Sequence, residues 1–395
     1  MIWMLPICRA VAILTLLAAD AVAGLDDDLA IGFDHFYNLE YDASITAFER
    51  AAKTDPTSPL PQDGIAQAVL YREMFRDGAL ESELIDGTNS FLRRPKMEPN
   101  QETTTRFFNA INRALDLSQQ QLNRNPRDIT AWHGRAVALA LRANWNFLVR
   151  KAWRDSLSDA TSARKAEDQI LAIDPKNPDA RLGEGVHEYI IGCLPWTWRT
   201  LGFLVGFRGD KVRGIAIVEQ VAQYGSRNKA DAEIMLCAFY RRERNSTKAL
   251  PLLEDLIRRY PRNYLLRFEQ AKMYADIGDR RALTTIDEIQ HLKEAKVPGI
   301  VNTPWAKILF ERANIQFWYN DLDQSAANFR KVLAVEDELD LNTGVLSYMR
   351  IGQILDIQNR HQDAIEFYRK AMAFAPEADA AKESRRYISS VYRRK

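Results

Sequence analysis

The chain is predicted to be all-α, a stack of paired antiparallel helices. Three observations lead there. Apolar residues recur close to every 3.6 residues throughout, and no stretch shows the period of two that marks a half-buried strand. The segment Val345–Pro376 places Tyr348, Ile351, Gly352, Ala364, Tyr368, Ala371 and Pro376 at offsets 4, 7, 8, 20, 24, 27 and 32 of a 34-residue unit. The same offsets then recur, in phase, along much of the chain. Small residues at offsets 8 and 20 let the first helix of a pair (helix A) approach the second (helix B). Large residues at 4, 7 and 24 fill the space beside that contact, and proline at 32 stops helix B. One pair cannot bury its apolar stripe alone, so neighbouring pairs must stack.

This spacing resembles the tetratricopeptide-repeat family. The resemblance implies a right-handed superhelical solenoid of helix-turn-helix repeats with helical insertions, acting as an interaction scaffold that does no chemistry of its own.

The elements follow in order. Residues 1–23 read as a secretory leader: one positive charge in Met1–Arg9, an apolar run from Ala10 to Ala19, then Ala21-Val22-Ala23 at the positions a signal peptidase reads. The other reading is a retained anchor, for which the run is short. Residues 24–126 hold repeat-like helices. Gly32, Phe48, Ala51 and Pro56 take offsets 8, 24, 27 and 32, and an irregular insertion is expected at 77–100, where Gly78, Gly87, Pro95 and Pro99 fall. Over 127–230, Trp132, Ala136, Ala163, Pro175 and Gly185 keep the spacing only if extra residues enter at 144–155 and again at 190–225. Residues 231–376 are regular: Cys237, Ala249, Leu253 and Pro261, then Ala271 and Gly278, then Ala313, Ser325 and Phe329. Residues 377–395 should form a capping helix with a charged outer side.

Lys plus Arg number 54 and Asp plus Glu 53, for a net charge of +1, which argues against a dedicated nucleic-acid binder. Cys8 lies in the leader. Cys193 and Cys237 would remain in an exported chain, either paired or, since Cys237 sits at a small buried offset, as packed thiols. The five histidines (His35, His133, His187, His291 and His361) make no H-E-x-x-H pair, and neither G-x-S-x-G nor Cys-x-x-Cys occurs. No catalytic residue, metal or cofactor is expected.

Two surfaces could carry a partner. In the resembled family helix A lines the concave side. Offset 5 there gives Leu182, Ile234, Phe268, Phe310 and Met349, and offset 9 gives Val186, Ala238, Lys272, Asn314 and Gln353. Adaptors of that family clamp a terminal carboxylate with Lys at offset 5 and Asn at offset 9. The apolar residues at offset 5 here fit instead a groove for a helix or extended peptide, or a stripe covered by neighbouring helices. The second surface is the apolar stretch 190–207, where Trp196, Trp198, Phe203 and Phe207 could meet a membrane surface or a partner. Gly206-Phe207-Arg208-Gly209-Asp210 resembles a stretch of a eukaryotic tetratricopeptide family linked to inclusion clearance and the mitochondrial outer membrane, a likeness over roughly forty residues. Arg241, Arg242 and Arg244, and the basic end from Arg385 to Lys395, could face an acidic partner or simply complement helix dipoles. The sequence thus describes a protein-binding scaffold, exported to the periplasm or envelope. Its rivals are a peripheral envelope-assembly factor using 190–207 and an enzyme with a site in the insertions.

Overall fold

The computed structural model describes residues 25–77, 80, 97–193, 209–336 and 339–394. Among them are 17 α-helices and no strand. The chain divides into two compact units, Met1–Arg242 and Glu243–Lys395.

The first unit begins with α1 (25–37), which pairs with α2 (Tyr41–Thr54). Then α3 (Leu60–Arg76) pairs with α4 (Gln101–Arg124), α5 (Ile129–Trp145) with α6 (Trp153–Ile173), and α7 (Leu182–Gly192) with α8 (Lys211–Tyr224). Helix α9 (Lys229–Arg242) packs on α8 and ends the unit. The second unit opens with α10 (Ser246–Arg259). It continues with three hairpins: α11 (Tyr264–Asp276) with α12 (Arg281–Glu294), α13 (Trp305–Trp318) with α14 (Leu322–Leu333), and α15 (Leu341–Ile357) with α16 (His361–Phe374). Helix α17 (Asp379–Ser389) packs on α16 and α15. Side chains of Asn100, Asp128, Asp210, Asn245, Asn263 and Asp340 cap helix starts by accepting first-turn amides.

The small-on-large contact within a hairpin is visible atom by atom. A Cβ added to Gly32 would stand 2.4 Å from Phe48 Cε1, and one added to Gly64, on the next A helix, 2.7 Å from Phe48 Cδ1. Phe48 is therefore gripped between two glycines and is fully buried. Gly352 meets the Tyr368 ring in the same way, at 2.5 Å. Where offset 20 is serine, its hydroxyl adds a buried bond across the hairpin: Ser44 Oγ donates to the Gly32 carbonyl at 2.8 Å, and Ser325 Oγ to the Ala313 carbonyl at 2.7 Å.

Every regular A–B turn has a left-handed residue at offset 15, but only one is glycine: Leu39, Arg244, Gly278, Asn320 and Asn359 all have positive φ. Glycine and asparagine suit that conformation by type, whereas Leu39 and Arg244 do not.

The insertions resolve differently. At 144–155, helix α5 runs into a single π-helical turn, Asn146–Arg150, closed by Lys151 in the left-handed region. Arg142 donates to both oxygens of Asp159 (3.0 and 2.6 Å), and Asn146 Nδ2 adds a third bond at 2.9 Å. Trp145, fully buried, stacks on Phe107 with centroids 4.2 Å apart. This stretch is packed structure. At 190–225, α7 and α8 touch through glycines. A Cβ on Gly209 would be 2.6 Å from Gly192 N, and one on Gly214 would be 2.5 Å from Tyr189 N. Residues 194–208 lie outside the described residues, so Trp196, Trp198, Phe203 and Phe207 do too. So do most of the 77–100 insertion and the leader. Among the described residues no helix is long and apolar enough to cross a membrane. Cys193 and Cys237 are not joined in a disulfide, and Cys237 is buried at its small-residue offset. The expected capping helix is shorter than 377–395: it stops at Ser389, and Ser390 is extended.

Gly352→Ala should destabilise the second unit by about 1–3 kcal/mol, the range for overpacking a closed core. The Tyr368 ring it would strike cannot retreat, because its hydroxyl is held by Asp356 at 2.7 Å. Urea denaturation followed by circular dichroism checks this; an unchanged midpoint contradicts the account.

Candidate functional site

The expected partner residues are distributed unevenly by burial. Phe268, Phe310, Met349 and Gln353 are buried, at 2%, 0%, 4% and 2% exposure. Leu182, Val186, Ile234, Ala238, Lys272 and Asn314 are half-buried. The apolar offset-5 residues of the second unit therefore serve the packing of one A helix on the next, and the polar offset-9 residues Lys272 and Asn314 are the more accessible members.

What lies between those A helices is charged. Lys272 Nζ on α11 sits 3.0 Å from Glu311 Oε1 on α13, and Lys307 Nζ, one turn back on α13, sits 3.3 Å from the same oxygen. The Glu311 side chain is only 3% exposed and the two lysines 11% and 9%. Such a buried ionic set is held by its geometry, because removing one partner leaves an uncompensated charge. The set ties offset 9 of one repeat to offset 6 of the next, a relation that no single-repeat spacing contains.

The A-helix side of the first unit is bridged by its own residues. Tyr37 on α1 donates to the Asp231 carboxylate on α9, and Tyr71 on α3 lies close enough to feel that charge. Burial pushes Asp231 up to about 6. Asp63 on α3 is buried with neither carboxyl oxygen hydrogen-bonded, packed against Gly134 of α5, and burial holds it well above the usual carboxylate range. His133, next to Gly134, is lowered to about 4, first by burial and then by Arg227, with Asp179 opposing. Glu167 on α6, whose carboxylate lies over Gly183, is raised to about 8 by burial, with Arg164 and the Gly183 amide opposing. None of these groups was singled out by sequence except His133. Their types are ordinary, and only their burial marks them.

The polar residues around the α7–α8 junction are engaged in local structure. His187 is exposed, and its neighbour Glu188 accepts the Asp210 amide at 2.9 Å and pairs with Arg213 at 3.4 Å. Asp210 caps α8, so the Gly209-Asp210 stretch is used in joining α7 to α8. A shallow cavity of about 200 Å³ is lined by Arg72, Arg76, Asn100, Glu102, Thr103 and Arg106. Its guanidiniums are already paired: Arg72 with Asp42 at 2.6 Å, Arg76 with Glu73 at 3.0 Å, and Arg106 with Glu49 at 2.5 Å. Among the described residues no group of three or more His, Cys, Asp or Glu could hold a metal ion.

Residues 345–377 match the tetratricopeptide repeat model, spanning most of α15 and all of α16. Residues 111–141 match the protein prenyltransferase alpha subunit repeat, across the end of α4 and most of α5. The inclusion body clearance protein iml2 of Sclerotinia sclerotiorum is 25% identical over 201 residues, covering 44% of this chain and 30% of that protein. This chain thus spans less than a third of that relative's length. Among solved structures, yeast Tom70 is 13% identical, covering 95% of this chain and 96% of that one, with a TM-score of 0.41. The human IFIT1 dimer is 14% identical, covering 91% and 84%, with a TM-score of 0.44.

The perturbed groups of the first unit set a pH dependence. A carboxyl raised on folding gives its full stability below its unfolded pKa, and loses it as pH climbs through the folded value. For Glu167 that window runs from the ordinary carboxylate range up to about 8. His133, lowered to about 4, acts in the opposite direction, losing stability as pH falls below the ordinary imidazole range. Glu167→Gln should therefore flatten the loss of stability as pH rises from the ordinary carboxylate range to about 8, and leave the acid loss from His133 in place. Urea midpoints across the pH range test this; an unchanged slope between the ordinary carboxylate range and about pH 8 rejects it.

Proposed function

We propose that this chain of tetratricopeptide-type hairpins is a non-enzymatic scaffold that binds a protein partner along its A helices. The observation that carries the reading is the division of labour among the offset residues. Phe268, Phe310 and Met349 are buried and hold the A helices together. Asn314, on α13 of the same unit, remains half-accessible, and in the first unit Leu182 on α7 and Ile234 on α9 do too. Buried apolar anchors that fix the spacing of accessible side chains give a preorganised contact surface, which lowers the cost of ordering on association.

Two variants separate contact from scaffold. Asn314→Arg should reduce capture of the partner at least tenfold while leaving the urea midpoint unchanged. Phe310→Ala should lower stability by about 3–5 kcal/mol, the usual loss for a buried aromatic. Pull-down from native extract, with each bait checked by circular dichroism, reads both. Undiminished capture by folded Asn314→Arg removes Asn314 from the contact surface.

We also place the scaffold outside the cytoplasm, in the periplasm or envelope. The support is the arrangement of a charged start, an apolar run and Ala21-Val22-Ala23. Intact mass of the native protein should begin at Gly24; a mass that includes Met1–Ala23 overturns cleavage.

A further inference from the structure

The segment after α17 does not trail into solvent. It turns back across the ends of the neighbouring A helices, although it has no regular structure of its own. Tyr392 N donates to Asp356 Oδ2 at 2.9 Å. The Tyr392 ring lies edge-on to Tyr387, centroids 5.2 Å apart, and 6.5 Å from Phe317. Arg394 Nη1 donates to Asn320 Oδ1 at 3.1 Å, and Nη2 to the Phe317 carbonyl. Its guanidinium lies over Phe317 and Trp318, at 4.7 and 5.5 Å from the ring centroids.

The groups that receive these contacts are fixed by others. The Asp356 side chain is fully buried and also accepts from His361 Nδ1 at 2.6 Å and Tyr368 Oη at 2.7 Å. Phe317 is fully buried, and Arg350 already stacks on it at 4.6 Å and on Trp318 at 5.1 Å. Arg350 is itself positioned by Gln353, which accepts its Nη1 at 2.8 Å. The Phe317 carbonyl and Asn320 lie at the C-terminal end of α13, where the helix dipole favours a cation. Trp318, at 54% exposure, is the open wall.

We infer that this is a peptide site, built to take an extended segment with tyrosine and arginine two residues apart, and that residues 390–394 are its resident occupant. A backbone amide is read by a buried carboxylate, a tyrosine enters between aromatic rings, and an arginine is read by a helix end and an aromatic wall. The occupant follows α17 directly, so it competes at a high effective concentration, on the order of millimolar for a short tether. A partner segment of the same Tyr-x-Arg chemistry binds by displacing it. The site is distinct from Lys272, Asn314, Leu182 and Ile234, so its failure and the failure of the A-helix reading are separable.

The test is fluorescence anisotropy with a labelled peptide of residues 389–395, titrated with the full chain and with the chain cut after Ser389. The cut chain should bind at least tenfold more tightly than the full chain. Peptides changed at Tyr392→Ala or Arg394→Glu should lose at least tenfold on the cut chain. Equal binding by the two chains, or binding indifferent to both changes, overturns the proposal. Should the cut chain fail to fold by circular dichroism, the full chain carrying Tyr392→Gly and Arg394→Gly takes its place with the same expectation. Failure of that variant to fold would also overturn the proposal, because the segment would then be core.

Discussion

One contact recurs in this molecule, and the rest follows from it: a residue with almost no side chain on helix A receives a large ring from helix B. Gly32 and Gly64 close on Phe48, and Gly352 closes on Tyr368. Interiors are packed to crystal-like density, so a methyl group cannot be added at such a point without moving a helix. Moving one helix would shift the next, because Phe48 is shared between two A helices. Stacking order, the burial of offset-5 residues and the alignment of the charged groups between α11 and α13 all rest on that spacing.

The spacing was legible because it is local. Each ruler offset involves residues within one hairpin, so period and residue size are enough to read it. Polar interactions across hairpins were not. Glu311 between Lys272 and Lys307, Tyr37 on Asp231, and Asp63 against Gly134 join residues whose distance along the chain carries no signal. The left-handed turn residues were also hidden. Leu39 and Arg244 occupy a conformation that their residue types rarely adopt. Offset 5 was read as an open groove or a covered stripe, and the second unit has its offset-5 side chains buried. Periodicity reports which residues share a face. It does not report how closely the next helix covers it.

The inserted segments illustrate how a chain lengthens a repeat without breaking the stack. The π turn after Trp145 absorbs extra residues while Arg142, Asn146 and Asp159 satisfy one another beneath it. Glycines at 192, 209 and 214 bring the α7 and α8 ends into backbone contact, so the two helices stay paired across the insertion. In both places the unusual residues serve the junction.

The bridge from Tyr37 to Asp231 bears on how the first unit opens. In an open array each repeat touches only its neighbours, so the first one can unravel alone and refold by zipping onto the second. Here the first A helix of the unit is tethered to the last, across several intervening hairpins. A contact between residues so far apart in the chain must close a long loop before it forms, which costs entropy. Releasing the leading hairpin therefore breaks the Tyr37–Asp231 contact as well as the packing on the next pair.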